Sequence, residues 1–145
     1  MLRLSDFTPF RLNRLAGAVS ENLSEVYRSR FELEISEWRT LVTIARRSDV
    51  TAQRVAASTR MHKTRVSRAV AAMHTRGLIR RVGSRSDARE QVLRLTAAGR
   101  RLYEDLVPLA LERERRLLAC MTPAERRGFL AGLARLEESL GLQRE

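Results

Sequence analysis

Acidic residues are missing from the middle of this chain. Between Val50 and Ser86, 37 consecutive positions, there is no Asp or Glu, while Arg54, Arg60, Lys63, Arg65, Arg68, Arg76, Arg80, Arg81 and Arg85 all fall there. Lysine is almost absent too: Lys63 is the only one among 28 basic residues. The codon preference of a GC-rich genome would choose Arg over Lys everywhere, but it would not clear acids from one segment. A single cysteine, Cys120, excludes an intrachain disulfide framework and fits a reducing cytoplasm. No apolar run approaches the roughly 20 residues a bilayer span needs, and a start containing Asp6, Thr8 and Pro9 lacks a signal-peptide core, so a cytoplasmic protein without a membrane partner is expected. The two histidines, His62 and His74, lie twelve apart with no nearby Cys or acid, which argues against a metal site. Neither a nucleophile triad, a phosphate-binding glycine loop nor a pair of catalytic carboxylates is present, so neither an enzyme nor a cofactor is expected.

What is present is a concentrated positive charge. The window from Arg39 to Arg101 holds 16 of the 28 basic residues and three of the 17 acidic ones, a net +13 against +11 for the whole chain of 145 residues. A field of one sign confined to one segment is the footprint of a protein that lies on a phosphate backbone. Arginine suits the task, because its planar fork binds phosphate or a guanine edge through two hydrogen bonds.

Local signals divide the chain into helices and one hairpin. Thr8 and Pro9 predict an N-cap and a proline-started helix over about 9 to 30, with Leu12, Leu15, Ala16, Val19, Leu23, Val26 and Tyr27 at helical spacing. Ser36 is the expected cap of a second helix carrying Trp38, Leu41, Val42 and Ala45, and Thr51 of a short third one with Val55, Ala56 and Ala57 inward. A fourth runs from about His62 to Thr75, its apolar stripe Val66, Ala69, Val70 and Met73, with Gly77 at the left-handed exit. Strands at Leu78 to Val82 and Gln91 to Leu95 flank a polar loop, forming a β-hairpin. Thr96 caps a fifth helix that Pro108 should kink, and Thr122, Pro123 and Glu125 open a sixth, to about Leu140.

With Val66 pointing inward, Thr64, Arg68, Ala71 and Thr75 point outward, flanked by Arg65 and Ser67. A helix entering a major groove needs such a surface: short side chains that let the backbone approach, punctuated by a few long donors. Lys63 and Thr64 add a positive end and a hydroxyl suited to phosphate. In the hairpin, Gly83, Ser84 and Ser86 keep slim a loop carrying Arg85 and Arg89, which suits a minor groove, and Asp87 is placed to orient Arg89.

These residues, in order, resemble a known family. Ile35 to Leu41, Lys63 to Val70, Arg76 to Arg81, Ser86 to Arg89 and Leu95 to Gly99 are similar to the motifs of the multiple antibiotic resistance regulator (MarR) family, and the pattern spans nearly the whole chain. The resemblance implies a mainly α fold with a small β-hairpin wing: a winged helix-turn-helix core over 35–95, between an N-terminal dimerisation helix over 1–34 and C-terminal dimerisation helices over 96–145. It further implies a homodimer on double-stranded DNA at a pseudopalindromic operator, with Lys63, Thr64, Arg65, Ser67 and Arg68 on the recognition helix and Arg85, Asp87 and Arg89 in the wing; a repressor is the expected role. His62 stands where the family usually has an acid, and Arg65 where a small hydroxyl residue often follows, so the operator is not inherited from relatives. The leucine stripes of the first, fifth and sixth helices independently call for a partner, since the rest of the chain is too small to bury them.

The family commonly holds a small effector, and the resemblance suggests an aromatic carboxylic acid or its thioester. Tyr27 and Trp38 would supply aromatic walls, and Asn13, Arg14 or Arg39 a grip on the carboxylate. The competing assignments are a core role for Trp38 and an ion pair of Arg39 with Glu37 or with the dimer mate. Two other functions compete with the regulator: a non-specific architectural DNA-binding protein, and a redox-sensing regulator acting through Cys120, although the apolar surroundings of that thiol favour a buried, inert one.

Overall fold

The computed structural model describes residues 2–47, 50–83 and 91–142. Among them are six helices, a short 3-10 turn and a two-stranded sheet. In chain order, the 3-10 turn Leu4–Asp6 leads into α1 (Thr8–Phe31), followed by α2 (Ile35–Arg46), α3 (Ala52–Thr59), α4 (Lys63–Thr75), β1 (Ile79–Gly83), β2 (Gln91–Leu95), α5 (Ala97–Leu118) and α6 (Pro123–Ser139). The mainly α architecture with one hairpin is the one expected. No helix among the described residues is long and apolar enough to cross a membrane.

Several helix starts differ from expectation in an instructive way. Thr8 is inside α1 rather than capping it: Phe7, extended between the 3-10 turn and the helix, occupies the cap without a side-chain hydrogen bond. Ser36 does not cap α2; Glu34 does, its carboxylate accepting from the N3 backbone while the Glu37 carboxylate accepts the Glu34 N–H at 2.7 Å. This reciprocal box engages Glu37; Arg39, two positions on and so about 200° around the helix from it, donates to Ser20 Oγ at 3.3 Å. Thr51 caps α3 as expected, accepting from the Arg54 N–H at 3.2 Å. On α3 Val55 is buried and Ala56 half-buried, but Ala57 is exposed, since it lies about 200° around the helix from Val55. Pro108 lies inside α5, which continues on both sides of it.

The chain divides into two compact units, 1–110 and 111–145. The first owns the core: Tyr27, Leu33, Leu41, Ile44, Val50, Val55, Val66, Val70, Met73, Leu78, Ile79, Leu93 and Leu106 form one cluster. Each such side chain fully removed from water contributes about 1.5–3 kcal/mol before entropy is counted. β1 and β2 pair antiparallel with Ile79 opposite Leu95 and Gly83 opposite Gln91. Val50 adds a single bridge to Leu93, whose N–H donates to its carbonyl at 2.7 Å, so the connection after α2 is stitched to the hairpin.

The second unit, considered by itself, has no core. Among its described residues none is buried, and Leu111, Phe129, Leu130, Leu133, Leu136 and Leu140 are exposed. Its helix start is well made: Thr122 Oγ1 accepts from the Glu125 N–H at 3.3 Å and the Glu125 carboxylate accepts from the Thr122 N–H at 2.8 Å. Cys120 is exposed, contrary to expectation, because it falls in the turn after α5 where the chain's own side chains do not cover it; its thiol donates to the Leu117 carbonyl at 3.4 Å.

Candidate nucleic-acid interface

The candidate surface is built on α4, and its inward face is what aims the outward one. Val66, Ala69, Val70 and Met73 are all buried, at most 3% exposed. Their spacing of three and four places them on one stripe, and the remaining positions are forced into solvent. Lys63, Thr64, Arg65, Ser67 and Arg68 are accordingly all exposed, as are Ala71, Ala72 and Thr75. No carboxylate lies among them, so a polyanion would meet donors, methyls and positive charge along the whole face.

The turn before α4 consists of three residues. Arg60 takes a left-handed conformation (φ 54°), Met61 is half-buried, and His62 caps the helix, its Nδ1 accepting from the Thr64 N–H at 3.3 Å. A ring nitrogen thus does the work a carboxylate oxygen would do at this place. It satisfies an otherwise orphaned helix-start donor without bringing negative charge to the surface.

At its other end α4 closes with a hydrogen-bonded exit: Gly77 N–H to His74 O at 2.9 Å and Leu78 N–H to Met73 O at 2.9 Å, with Gly77 at φ +67°. The hairpin starts immediately afterwards, so the glycine couples the direction of α4 to that of β1. Thr96 fastens the far end of the hairpin to the same corner. Its hydroxyl donates to Gly77 O at 2.6 Å and accepts from the Gly99 N–H at 3.1 Å, capping α5. α5 approaches so closely that a Cβ on Gly99 would overlap the Leu78 carbonyl.

Between α3, α4 and the hairpin lies a recess of about 430 Å³. Ala52, Val70 and Leu93 contribute apolar lining, and Gln53, Lys63, Ser67, Arg81 and Gln91 polar groups. Of these Lys63 and Ser67 were expected in the site; Gln53, Arg81 and Gln91 were not singled out. The acid-free run contains Arg81, but only the strand register, which sets it opposite Leu93, turns it toward α4. Two cations and three hydrogen-bonding side chains around one recess can hold a phosphate oxygen. The wing residues Arg85, Asp87 and Arg89 lie outside the described residues.

The effector candidates form two groups. Tyr27 is buried and stacks on half-buried Trp38, ring centroids 5.6 Å apart at 20°. Burial pushes the Tyr27 phenol above its ordinary value of 10.0, against the opposing pull of the Arg39 and Arg28 guanidiniums. Arg39, exposed, lies one residue beyond Trp38. Asn13 and Arg14 are not brought to this pair. Both are exposed, Arg14 lies over the Phe10 ring at 5.8 Å, and thirteen residues of α1 separate it from Tyr27, about 20 Å along the axis. Among the described residues there is no group of three or more His, Cys, Asp or Glu placed to hold a metal ion.

A short helix, a three-residue turn, an exposed acid-free second helix and a hairpin packed behind it define a winged helix-turn-helix, the fold of DNA-binding transcriptional regulators. Residues 31–90 match the MarR family model. Over its whole length the chain is similar to the MarR/EmrR family transcriptional regulator of Acinetobacter sp. ADP1, at 26% identity and a TM-score of 0.85, covering 98% of this chain and 100% of that one. It is also similar in fold to CouR from Rhodococcus jostii RHA1, solved with p-coumaroyl-CoA (23% identity, TM-score 0.79, covering 94% and 95%). Bordetella bronchiseptica BpsR, whose DNA binding is regulated by 6-hydroxynicotinic acid, is a further fold relative (19%, 0.83, covering 94% and 97%). Comparison with curated proteins finds no match. Over residues 31–90 the chain resembles the MarR family, and over nearly its whole length it shares the fold of a solved regulator of that family.

Proposed function

We propose that this protein is a sequence-specific transcriptional repressor that binds a pseudopalindromic operator as a homodimer and is released by a small effector. The observation that carries the reading is the exposed face of α4, where Lys63, Thr64, Arg65, Ser67 and Arg68 stand over a buried stripe without one acid. Thr64 and Arg68 are the base-reading pair, Lys63 and Arg65 the phosphate contacts, and Ser67 the small residue that lets the helix approach. Arg85, Asp87 and Arg89 complete the interface from the wing, with Arg81 at its base.

Pairing of two copies follows from what one copy leaves uncovered. α6 buries none of its residues, and Leu12 and Leu15 on α1 and Leu111 on α5 are exposed as well. A monomer with that much uncovered leucine is unfavourable in water, and a two-fold pair is the usual solution. The segments 1–34 and 96–145 then serve dimerisation and 35–95 DNA binding. Two α4 helices about 34 Å apart would meet successive major grooves on one side of the duplex.

The effector reading rests on half-buried Trp38, backed by the buried Tyr27 ring and followed in sequence by the exposed Arg39, an aromatic face next to a cation, which suits an aromatic carboxylate or its thioester. The ligands of CouR and BpsR are of that kind. Asn13 and Arg14 would join only from a second copy.

The test is binding to the protein's own upstream DNA and to random duplex at fixed salt. Specific binding is expected to be at least about a thousandfold tighter; a ratio near one favours a non-specific architectural role. Arg68→Ala should weaken operator binding by about 1–3 kcal/mol and relax specificity, while Lys63→Ala should weaken all sequences and lower the salt slope by about one. If neither changes binding, α4 is not the reading helix.

A further inference from the structure

By sequence, Arg76 is one more cation of the acid-free run. In the folded chain its guanidinium faces the protein instead. Nη2 donates to the Phe31 carbonyl at 2.8 Å and Nη1 to the Glu32 carbonyl at 2.9 Å, two bonds that span 45 and 44 residues. Those two carbonyls belong to the exit of α1. There Glu32 turns left-handed at φ 51°, its N–H bonded to Arg28 O at 3.2 Å, and the next residue, Leu33, is fully buried with its N–H on Tyr27 O at 3.0 Å. The last carbonyls of a helix have no partner within it and carry partial negative charge, so a cationic fork that spans two of them is a fitting cap.

We propose that Arg76 is a positioning residue: it clasps the exit of α1 to the end of α4 and so sets the angle at which α4 presents Lys63 to Arg68. The inference rests on the reading of α4 as the DNA-binding helix. The buried stripe from Val66 to Met73 sets how deeply α4 sits, but smooth apolar contacts resist tilting less than a two-point hydrogen-bonded anchor does. Arg76 stands at one end of the helix and Lys63 at the other, about 20 Å away at 1.5 Å per residue. A tilt of about 10° about the anchored end moves the reading end by about 3 Å, beyond the tolerance of a hydrogen bond to a base edge.

The experiment compares wild type, Arg76→Met, Arg76→Lys and Arg68→Ala for affinity to operator and to random duplex across a salt series, with circular dichroism and thermal midpoints measured alongside. For Arg76→Met the expected result is operator affinity about tenfold weaker, random-duplex affinity unchanged, and an unchanged slope of log affinity against log salt. Arg76→Lys keeps the charge but not the planar fork, and should show an intermediate loss of the same kind; it carries the test if Arg76→Met does not fold. A slope lowered by about one, with both DNAs weakened and Arg76→Lys near wild type, would make Arg76 a phosphate contact and overturn the proposal. Unchanged operator affinity in a folded Arg76→Met would overturn it as well, provided Arg68→Ala weakens binding. Should Arg68→Ala also have no effect, the failure lies with α4 as the reading helix.

Discussion

Replacing Gly99 by alanine sets two physical rules against each other. On helix propensity alone, an alanine in the first turn of α5 should stabilise the protein by up to about 1 kcal/mol. The contact geometry predicts the reverse, because the added methyl would overlap the Leu78 carbonyl. That carbonyl cannot simply step aside. It accepts the Thr96 N–H at 3.0 Å and lies 3.2 Å from the Thr96 hydroxyl, and the same hydroxyl caps α5. Moving it costs about 1 kcal/mol for a weakened backbone hydrogen bond and about 1 kcal/mol for a disturbed cap, with about 1–3 kcal/mol of overpacking. After the propensity gain, a net destabilisation of about 2–4 kcal/mol remains, a fall in Tm of roughly 6–12 °C for a chain of this length. The control is Gly128→Ala in α6, where a Cβ would meet nothing within 4 Å and only the propensity rule applies. Thermal and urea unfolding of the two variants and wild type, at one protein concentration because association shifts apparent stability, should show Gly128→Ala unchanged or raised and Gly99→Ala lowered. A Gly99→Ala protein as stable as wild type would refute the assignment of this corner as the tight joint between helix, hairpin and α5.

Two pH dependences follow from the same physical bookkeeping. The Glu125 carboxyl is held below its ordinary value of 4.5 by the backbone N–H and hydroxyl of Thr122. The stability it contributes is therefore complete above that value and is lost as pH falls through the depressed one, so urea midpoints of wild type and Glu125→Gln should differ near neutrality and converge in acid; an equal difference at both ends would refute it. The Tyr27 phenol is displaced upward, by burial, so the stability gained from keeping it neutral is complete below pH 10.0 and is lost as pH rises toward its folded value. Wild type should lose stability over that range relative to Tyr27→Phe, and parallel curves would show that the phenol is not protected.

Much of this molecule was written in short-range signals. The stripe from Val66 to Met73, the Thr51, Thr96 and Thr122 caps and the Gly77 exit all act within one or two helical turns, so neighbours in sequence suffice to read them. Sequence alone likewise located the positive surface, because the absence of acids over 37 residues survives any folding of the backbone. Glu34 was missed as the cap of α2 because the carboxylates at 34 and 37 satisfy each other's backbone donors, a better arrangement than the single hydroxyl of Ser36 offers. Ala57 and Cys120 are exposed although their apolar neighbours suggest burial, because burial depends on what else reaches the site.

Tertiary structure alone decided which arginines are available to a partner. Arg65, Arg68 and Arg76 are indistinguishable in composition and all three are exposed, yet the guanidinium of the third is bound to carbonyls more than forty residues away. Local periodicity sets the direction of a side chain around its own helix; what it meets there is fixed by chain segments that arrive only when the core closes. The bridge from Val50 to Leu93 and the fit of Gly99 against Leu78 have the same origin. Pattern and charge thus determined the elements and the kind of ligand they suit, and long-range packing chose the individual side chains that position them.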